Sequence, residues 1–384
     1  MKNKAVIIDM YSHGSYHEVI NQAYLMMVSD IYEEVTYIAD KSSCENLRSL
    51  LTKCNFDYSN IRFVEKNVSH IKCKSPGLTY LIKLIKVSIL SFIYYNRCDK
   101  DEDVFYNNNL FFAITLISLF SKKRKNIYIL CHNEMELIDK KSCFSSVTKI
   151  LSMYFRFVFC QMGLNKIFHF ILLSSDMVNY FNSFISYKNH TRIYWIDHSY
   201  IRPENNIDAK YQIVDSRIKI GIPGAITPLR GLKELKYLLA NLKNQNICIY
   251  ALSTCSEMIE SDHFVELNRE SGLLPFDQYN TYVKSMDVML LLYNTESYKL
   301  TASGAILEAI WNEKPIIALN NSYFDYLFKR YGNMGILCDN VKDICEAIND
   351  FKTNPLFTKN LINAKTELHP KVVQNQLLKI INHV

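Results

Sequence analysis

Short runs rich in β-branched and aromatic residues recur along the whole chain and alternate with longer segments whose apolar residues repeat at helical spacing. That alternation specifies βαβ units, and with them an α/β fold built on mostly parallel sheets. In the first part, strands are expected at 4–10, 34–39, 61–64, 104–106, 126–130, 168–173 and 192–196, with helices near 17–32, 43–53, 78–95, 110–121 and 145–159. Ser174-Ser175-Asp176 reads as a helix cap. The polar stretch 201–215 reads as a linker. A second series follows, with strands at 218–222, 246–252, 288–293 and 316–319, and helices at 232–242, 278–285, 323–331, 341–351 and 372–381. Two doubly wound Rossmann-like domains are therefore expected, 1–203 and 204–368, with a C-terminal helix in 369–384 that packs back towards the first. In such folds ligands bind at the carboxyl ends of the strands, so a site in a central cleft faced by both domains is expected.

The most informative local stretch is 301–319, TASGAILEAIWNEKPIIAL, which reads as a turn, a helix and a buried strand. Ser303 and Gly304 fall at the helix start, where unpaired N–H groups and the positive end of the dipole attract phosphate. Glu308 follows on the first turns, where its carboxylate can accept two hydrogen bonds from a ribose diol. Lys314-Pro315 is expected to stop the helix. The plain alternative is one more αβ unit in which Gly304 only closes a turn. Earlier, the loop Gly224-Ala225-Ile226-Thr227-Pro228-Leu229-Arg230-Gly231 joins a strand to a helix. Arg230 there is either a surface arginine or a phosphate ligand, and Gly231 leaves room for a close approach.

These two segments carry a resemblance. The loop resembles the glycine, then proline, then Lys/Arg-Gly segment of GT-B glycosyltransferases of the family 4 type, and 303–315 is similar to their donor-binding helix. The resemblance implies two Rossmann-like domains facing a cleft and a nucleotide-diphosphate sugar held by the second domain. Arg230 and the amides at Ser303 and Gly304 would then serve the diphosphate, Gly224 and Gly231 would belong to the donor-binding loop, and Glu308 would serve the ribose. Two departures matter. Ala225 stands where the family often has arginine, and Leu300 where it often has an acid, with Glu296 the nearest upstream acid able to reach the sugar hydroxyls.

In the first domain, His132 ends a strand in the polar cluster His132-Asn133-Glu134. It is either a catalytic contact to the sugar or a reacting hydroxyl, or a histidine bonded to backbone. His13, Gly14 and Ser15 occupy the first strand-to-helix loop, where the resemblance implies contact with acceptor or phosphate. His13 is a candidate base if configuration inverts. His17 is expected to begin the helix, and His169 and His198 to be structural.

Composition narrows the rest. Eleven cysteines without a C-x-x-C pair suit reduced thiols, and no metal site is expected. The first apolar run is broken by Asp9, too short for a signal peptide. There is no G-x-S-x-G, Walker loop, H-E-x-x-H or G-x-G-x-x-G in the first loop, which removes the main support for hydrolase, NTPase, zinc peptidase and dinucleotide readings. Lys and Arg number 25 against 19 Asp and Glu through Asn205, and 19 against 19 afterwards, so the formal +6 lies in the first half. That half is expected to face something anionic. The apolar, basic stretches 72–95 and 122–125 fit a helix on an anionic bilayer, or equally a core helix whose lysines reach solvent. Nucleic acid is not expected, since no recognised motif accompanies the dispersed charge. The expected activity is transfer of a sugar from a nucleotide diphosphate to a hydroxyl of a lipid-linked glycan acceptor, in bacterial cell-surface polysaccharide assembly, with no cofactor. The expected place is the cytoplasm, at the inner face of the membrane. An NDP-sugar 2-epimerase and a catalytically silent binding subunit are the rivals.

Overall fold

The computed structural model describes the chain except residues 1, 15, 69–74, 109, 122–125, 140–145, 162–165, 186–191, 205–207, 229, 270–273, 294–297 and 353, and the side chains of residues 76, 133 and 161. It divides into two compact units. Unit 1 comprises Met1–Pro203, Leu300–Ala302 and Leu368–Val384, and unit 2 comprises Glu204–Lys299 and Ser303–Glu367.

Unit 1 is built on a seven-stranded parallel sheet of β1 (Lys2–Asp9), β2 (Tyr32–Asp40), β3 (Ile61–Lys66), β4 (Glu102–Tyr106), β5 (Ile127–Leu130), β6 (Phe168–Leu172) and β7 (Ile193–Trp195), in the order β3-β2-β1-β4-β5-β6-β7. Ala5 of β1 pairs with Val35 on one side and Asp103 on the other. Because helices cover both faces of such a sheet, its central strands read as unbroken apolar runs, and residues 5 to 9 are all buried. Helix α1 (Glu18–Ile31), all but a few of whose residues are buried, packs against the last helix, α13 (Pro370–His383). Asp40 caps α2 (Lys41–Lys53) by accepting from the Ser42 N–H, and Ser174 caps α6 (Ser175–Asn182) from the Met177 N–H.

Unit 2 carries six parallel strands, β8 (Ile218–Ile222), β9 (Ile247–Ala251), β10 (Phe264–Glu266), β11 (Val288–Leu291), β12 (Ile316–Leu319) and β13 (Gly335–Cys338), ordered β10-β9-β8-β11-β12-β13. Its core gathers Ile220, Leu235, Ile249, Leu290, Ile317 and Ile344. In both units the strand order reverses beside the first strand, between β1 and β4 and between β8 and β11. Such a switch point leaves a crevice at the carboxyl ends of the two strands.

Beyond short 3₁₀ turns, the structure adds two strands and one α-helix to the sequence expectation. Strands β10 and β13 are too short to show an alternation. Helix α12 (Pro355–Glu367) buries only Leu361 and Ala364, a stripe too thin to read as amphipathic. Helix α9 (Gly304–Trp311) also ends before Lys314-Pro315, contrary to expectation. The turn is made by Glu313 at φ 55, with the Asn312 N–H on Glu308 O and the Lys314 N–H on Ala309 O, so the chain leaves the helix before the proline acts.

Candidate functional site

The switch point of unit 2 is furnished largely by backbone. The segment after β8 turns at Gly224 (φ 77) and Gly231 (φ 79), and Gly231 caps α7 (Leu232–Asn241). A Cβ on Gly231 would lie 2.5 Å from Leu292 Cβ and 2.8 Å from Leu292 O, so only glycine lets this loop close on the end of β11. The Arg230 N–H donates to Thr227 O at 2.8 Å, which fixes the backbone beneath an exposed guanidinium. Tyr293 stands near it: burial first, then Tyr298, pushes its phenol far above the ordinary range, against the opposing pull of Arg230.

From the adjacent strand β11 the chain runs to α9. Ser303 occupies the N-cap in an extended conformation, but its hydroxyl makes no capping bond. It is 2 % exposed, and its Oγ has no partner among the described residues, as is true of Thr301 Oγ1. Gly304 is exposed, and a Cβ there would meet nothing within 4 Å. The first N–H groups of α9 thus begin beside open space, and a helix start has no intrahelical acceptor for them. On the second turn Glu308 is buried, its Oε1 accepting from Asn312 Nδ2 at 3.1 Å. The structure therefore places Arg230, Ser303, Gly304 and Glu308 on elements leaving neighbouring strands. Glu296 lies outside the described residues. Tyr298, which the sequence did not single out, adopts φ 63, a strained conformation for a residue with a side chain, between the rings of Tyr293 (5.1 Å) and Phe324 (6.2 Å).

The switch point of unit 1 is furnished by side chains. Asp9, 1 % exposed, ends β1 and ties the following loop down by accepting from the Ser12 N–H (3.1 Å), Asn21 Nδ2 (2.7 Å) and Tyr37 OH (2.9 Å). Burial pushes its carboxyl up. Gly14 turns at φ 55 and its N–H donates to Ser42 Oγ, while Ser15 lies outside the described residues. His13 Nδ1 stands 3.3 Å from Lys83 Nζ on α3 (Pro76–Arg97), and the ammonium lies 4.1 Å over the Tyr11 ring. An ammonium only donates, so the Nδ1 lone pair of His13 is directed at Lys83. Burial lowers the Lys83 pKa.

His132 follows β5 and precedes a 3₁₀ turn, Asn133–Ile138. It bonds the Asn107 backbone, while its Nε2 is buried without a partner among the described residues. The backbone bond therefore comes from Nδ1–H, which leaves the Nε2 lone pair available. Its ring centroid is 4.7 Å from that of His17, which stacks on Tyr16 at 4.0 Å and sits at φ 59 as the cap of α1. Burial, then His17 and His198, holds the His132 pKa well below the usual imidazole range. Burial brings His17 down to about 4, helped by His198 and Lys83, and His198 down to about 4 despite its backbone bonds. Among the described residues no group of three or more His, Cys, Asp or Glu is arranged to hold a metal ion. The part played by His17, His198 and Lys83 was not visible in the sequence, because their spacing carries no motif and only the sheet order brings them together.

On the same 3₁₀ turn, Glu136 accepts from the N–H of Leu300, whose side chain is 1 % exposed. A buried leucine therefore stands where the resembling family often has an acid. Tyr11, Tyr80, Asn108, Phe111 and Glu134 line a small pocket beside these residues.

No family model matches the sequence, and no curated protein sequence matches it. Solved structures do. A mutant of TarM from S. aureus, crystallised in complex with Fondaparinux, alpha-GlcNAc-glycerol and UDP, superposes with a TM-score of 0.62 at 12% identity over 100% of both chains. The catalytic domain of starch synthase IV from Arabidopsis thaliana, bound to ADP and acarbose, gives 0.65 at 8% identity over 100% of this chain and 99% of that one. WaaG, a glycosyltransferase involved in lipopolysaccharide biosynthesis, gives 0.55 at 11% identity over 99% of each. The fold is GT-B. At these identities the likeness concerns the fold, and in the GT-B fold unit 2 is the half that carries Arg230 and α9.

Proposed function

We propose that this chain is a glycosyltransferase that moves a sugar from a nucleotide-diphosphate donor to a hydroxyl of a glycan acceptor. The observation that carries this reading is the pairing at the unit 2 switch point: a glycine-turned loop bearing Arg230, and a helix start with an orphaned Ser303 hydroxyl and open space at Gly304. The diphosphate binds there, and Glu308 takes the ribose. In the reaction the acceptor oxygen forms the bond to the anomeric carbon while the bond from that carbon to the phosphate oxygen breaks. Negative charge then grows on the departing nucleoside diphosphate, where Arg230 and the α9 amides stabilise it more strongly than in the ground state, with no metal required. The acceptor proton passes to the departing phosphate oxygen, which becomes basic as its bond to carbon breaks, and in unit 1 the Nε2 of His132, without a partner among the described residues, is the group suited to accept a hydrogen bond from a sugar or acceptor hydroxyl. His13 and Gly14 belong to the loop that receives the acceptor. A lipid-linked acceptor of bacterial cell-surface polysaccharide assembly, at the cytoplasmic face, completes the proposal. Support comes from the fold shared with WaaG and TarM.

A thermal-shift screen against UDP, GDP, CMP, ADP, dTDP and their sugar conjugates tests it, because a ligand at a hundred times its Kd stabilises the native state by about 2.7 kcal/mol. A shift selective for one nucleotide, lost in Arg230→Ala and in Glu308→Ala, is expected. No shift with any of them sinks the transfer reading.

A further inference from the structure

Three side-chain amides and one carboxyl group close the carboxyl ends of β1 and β4, and the sugar-transfer reading uses none of them. Asp9, Asn21, Asn107 and Asn108 are all 5 % exposed or less. Polar groups buried this densely are tolerated only when they satisfy one another. Here the satisfaction has a direction. The Ser12 N–H and Asn108 Nδ2 (3.4 Å) donate to Asp9 Oδ1, and Asn21 Nδ2 and Tyr37 OH donate to Oδ2. An N–H group only donates, so the carboxyl dictates which way each amide faces. With its Nδ2 committed to Asp9 and to Ser12 Oγ (3.1 Å), Asn21 turns its Oδ1 to Asn107, whose Nδ2 donates to it at 3.2 Å.

Asn107 needs such a tether. The ladders that pair β4 with β1 and β5 stop at Tyr106, one residue earlier. Its Oδ1 has no partner among the described residues, so the bond to Asn21 is what holds its side chain. The backbone of the same residue is the partner of His132. We propose that Asp9 is a positioning residue for His132: through Asn21 it fixes Asn107, whose carbonyl accepts the Nδ1–H, and this keeps the Nε2 lone pair as an acceptor. A neutral imidazole carries its proton on either nitrogen, and the bond made by one decides the state of the other. If Asn107 drifts, the Nε2–H tautomer becomes populated. That form donates to a hydroxyl and cannot accept from it. The consequence for rate rests on the sugar-transfer reading, whereas the tautomer does not.

The test is the ¹⁵N spectrum of the full chain labelled at histidine, with the His132 signals assigned by their loss in His132→Gln. A proton on Nδ1 and a bare Nε2 are expected in the parent, and the Nε2–H form is expected to appear in Asn21→Leu. Asn21→Asp sets a second carboxyl against Asp9 and should do the same. The exchange Asp9→Asn/Asn21→Asp again faces a donor with a carboxyl that also accepts from Asn107, and should restore the parent tautomer. With the sugar nucleotide that the thermal-shift screen selects, Asn21→Leu should lower kcat about tenfold at unchanged KM, the scale on which groups behind a functional histidine act. A purely structural role for Asp9 would change the melting temperature and leave the tautomer alone. The proposal is overturned if Nε2 carries the proton in the parent, a measurement that needs no variant to fold, or if Asn21→Leu keeps the parent tautomer. A tautomer that shifts as expected in a chain that binds no nucleotide upholds the positioning and sinks the transfer reading alone.

Discussion

The two sheets share one strand order around their switch points, yet what stands at those points differs in kind. In unit 2 the crevice between β8 and β11 is lined by glycine turns, the first amides of α9 and one exposed arginine. In unit 1 the crevice between β1 and β4 is lined by His13, His17, His132, Lys83 and the buried Asp9. A site made of backbone does not titrate and fails when a Cβ is added. One made of buried imidazoles tolerates small backbone changes but responds to protons. In the proposed transfer, unit 2 would compensate fixed phosphate charge and unit 1 would meet a hydroxyl.

The largest expected effect separates the two histidines of unit 1. His132→Gln should lower the transfer rate by roughly a hundredfold with an unchanged circular dichroism spectrum, because its Nε2 lone pair is available. His13→Gln should cost less than about tenfold, its Nδ1 lone pair being directed at Lys83. Equal losses, or the reverse order, would assign the reacting role to the first loop instead.

A smaller effect tests the backbone character of unit 2. Gly231→Ala adds a Cβ 2.5 Å from Leu292 at a positive φ, and should destabilise unit 2 by about 2 kcal/mol in a urea titration. Gly304→Ala, which meets nothing within 4 Å, should leave stability nearly unchanged while weakening nucleotide binding. Similar stabilities for the two variants would contradict the account of the loop.

The smallest concerns pH. His17 and His198 are held near 4 in the fold against about 6.5 unfolded, so the unfolded chain binds more protons between these values. The stability they leave intact above pH 6.5 is lost as pH falls towards 4, on the order of 1 to 2 kcal/mol per histidine by pH 5. Each unit contains one tryptophan, Trp195 in unit 1 and Trp311 in unit 2. In Trp311→Phe, the fluorescence of Trp195 therefore follows unit 1 alone, and His17→Gln should flatten its pH dependence. An unchanged slope would remove the histidine cluster as its cause.

The parts legible in the sequence were those with a local cause. The strands at 218–222 and 316–319 announced themselves because a parallel strand buried on both faces must be apolar throughout. The start of α9 at Ser303 and Gly304 was legible because a small polar residue before an apolar helical run marks a helix N-terminus. The histidine cluster was not, since His17, His132 and His198 follow different strands and meet only through sheet order. Tyr298 was hidden for a related reason: nothing in a tyrosine foretells φ 63, which its packing between Tyr293 and Phe324 imposes. Lys83 looked like a solvated lysine on a helix face, and its turn inward over Tyr11 depends on a loop seventy residues earlier.

Helix α13 returns to unit 1 after the whole of unit 2. Gln376 exchanges two hydrogen bonds with Asp197, at 2.7 Å and 2.6 Å, and Tyr200 N–H donates to Leu368 O at 3.0 Å. On the ribosome, unit 2 can finish folding while α1 still lacks its neighbour, so the half that begins first is completed last. A stalled or clipped chain that lacks residues 370–383 would then carry a complete unit 2 and an open apolar seam on α1, a form that quality-control proteases are well placed to remove.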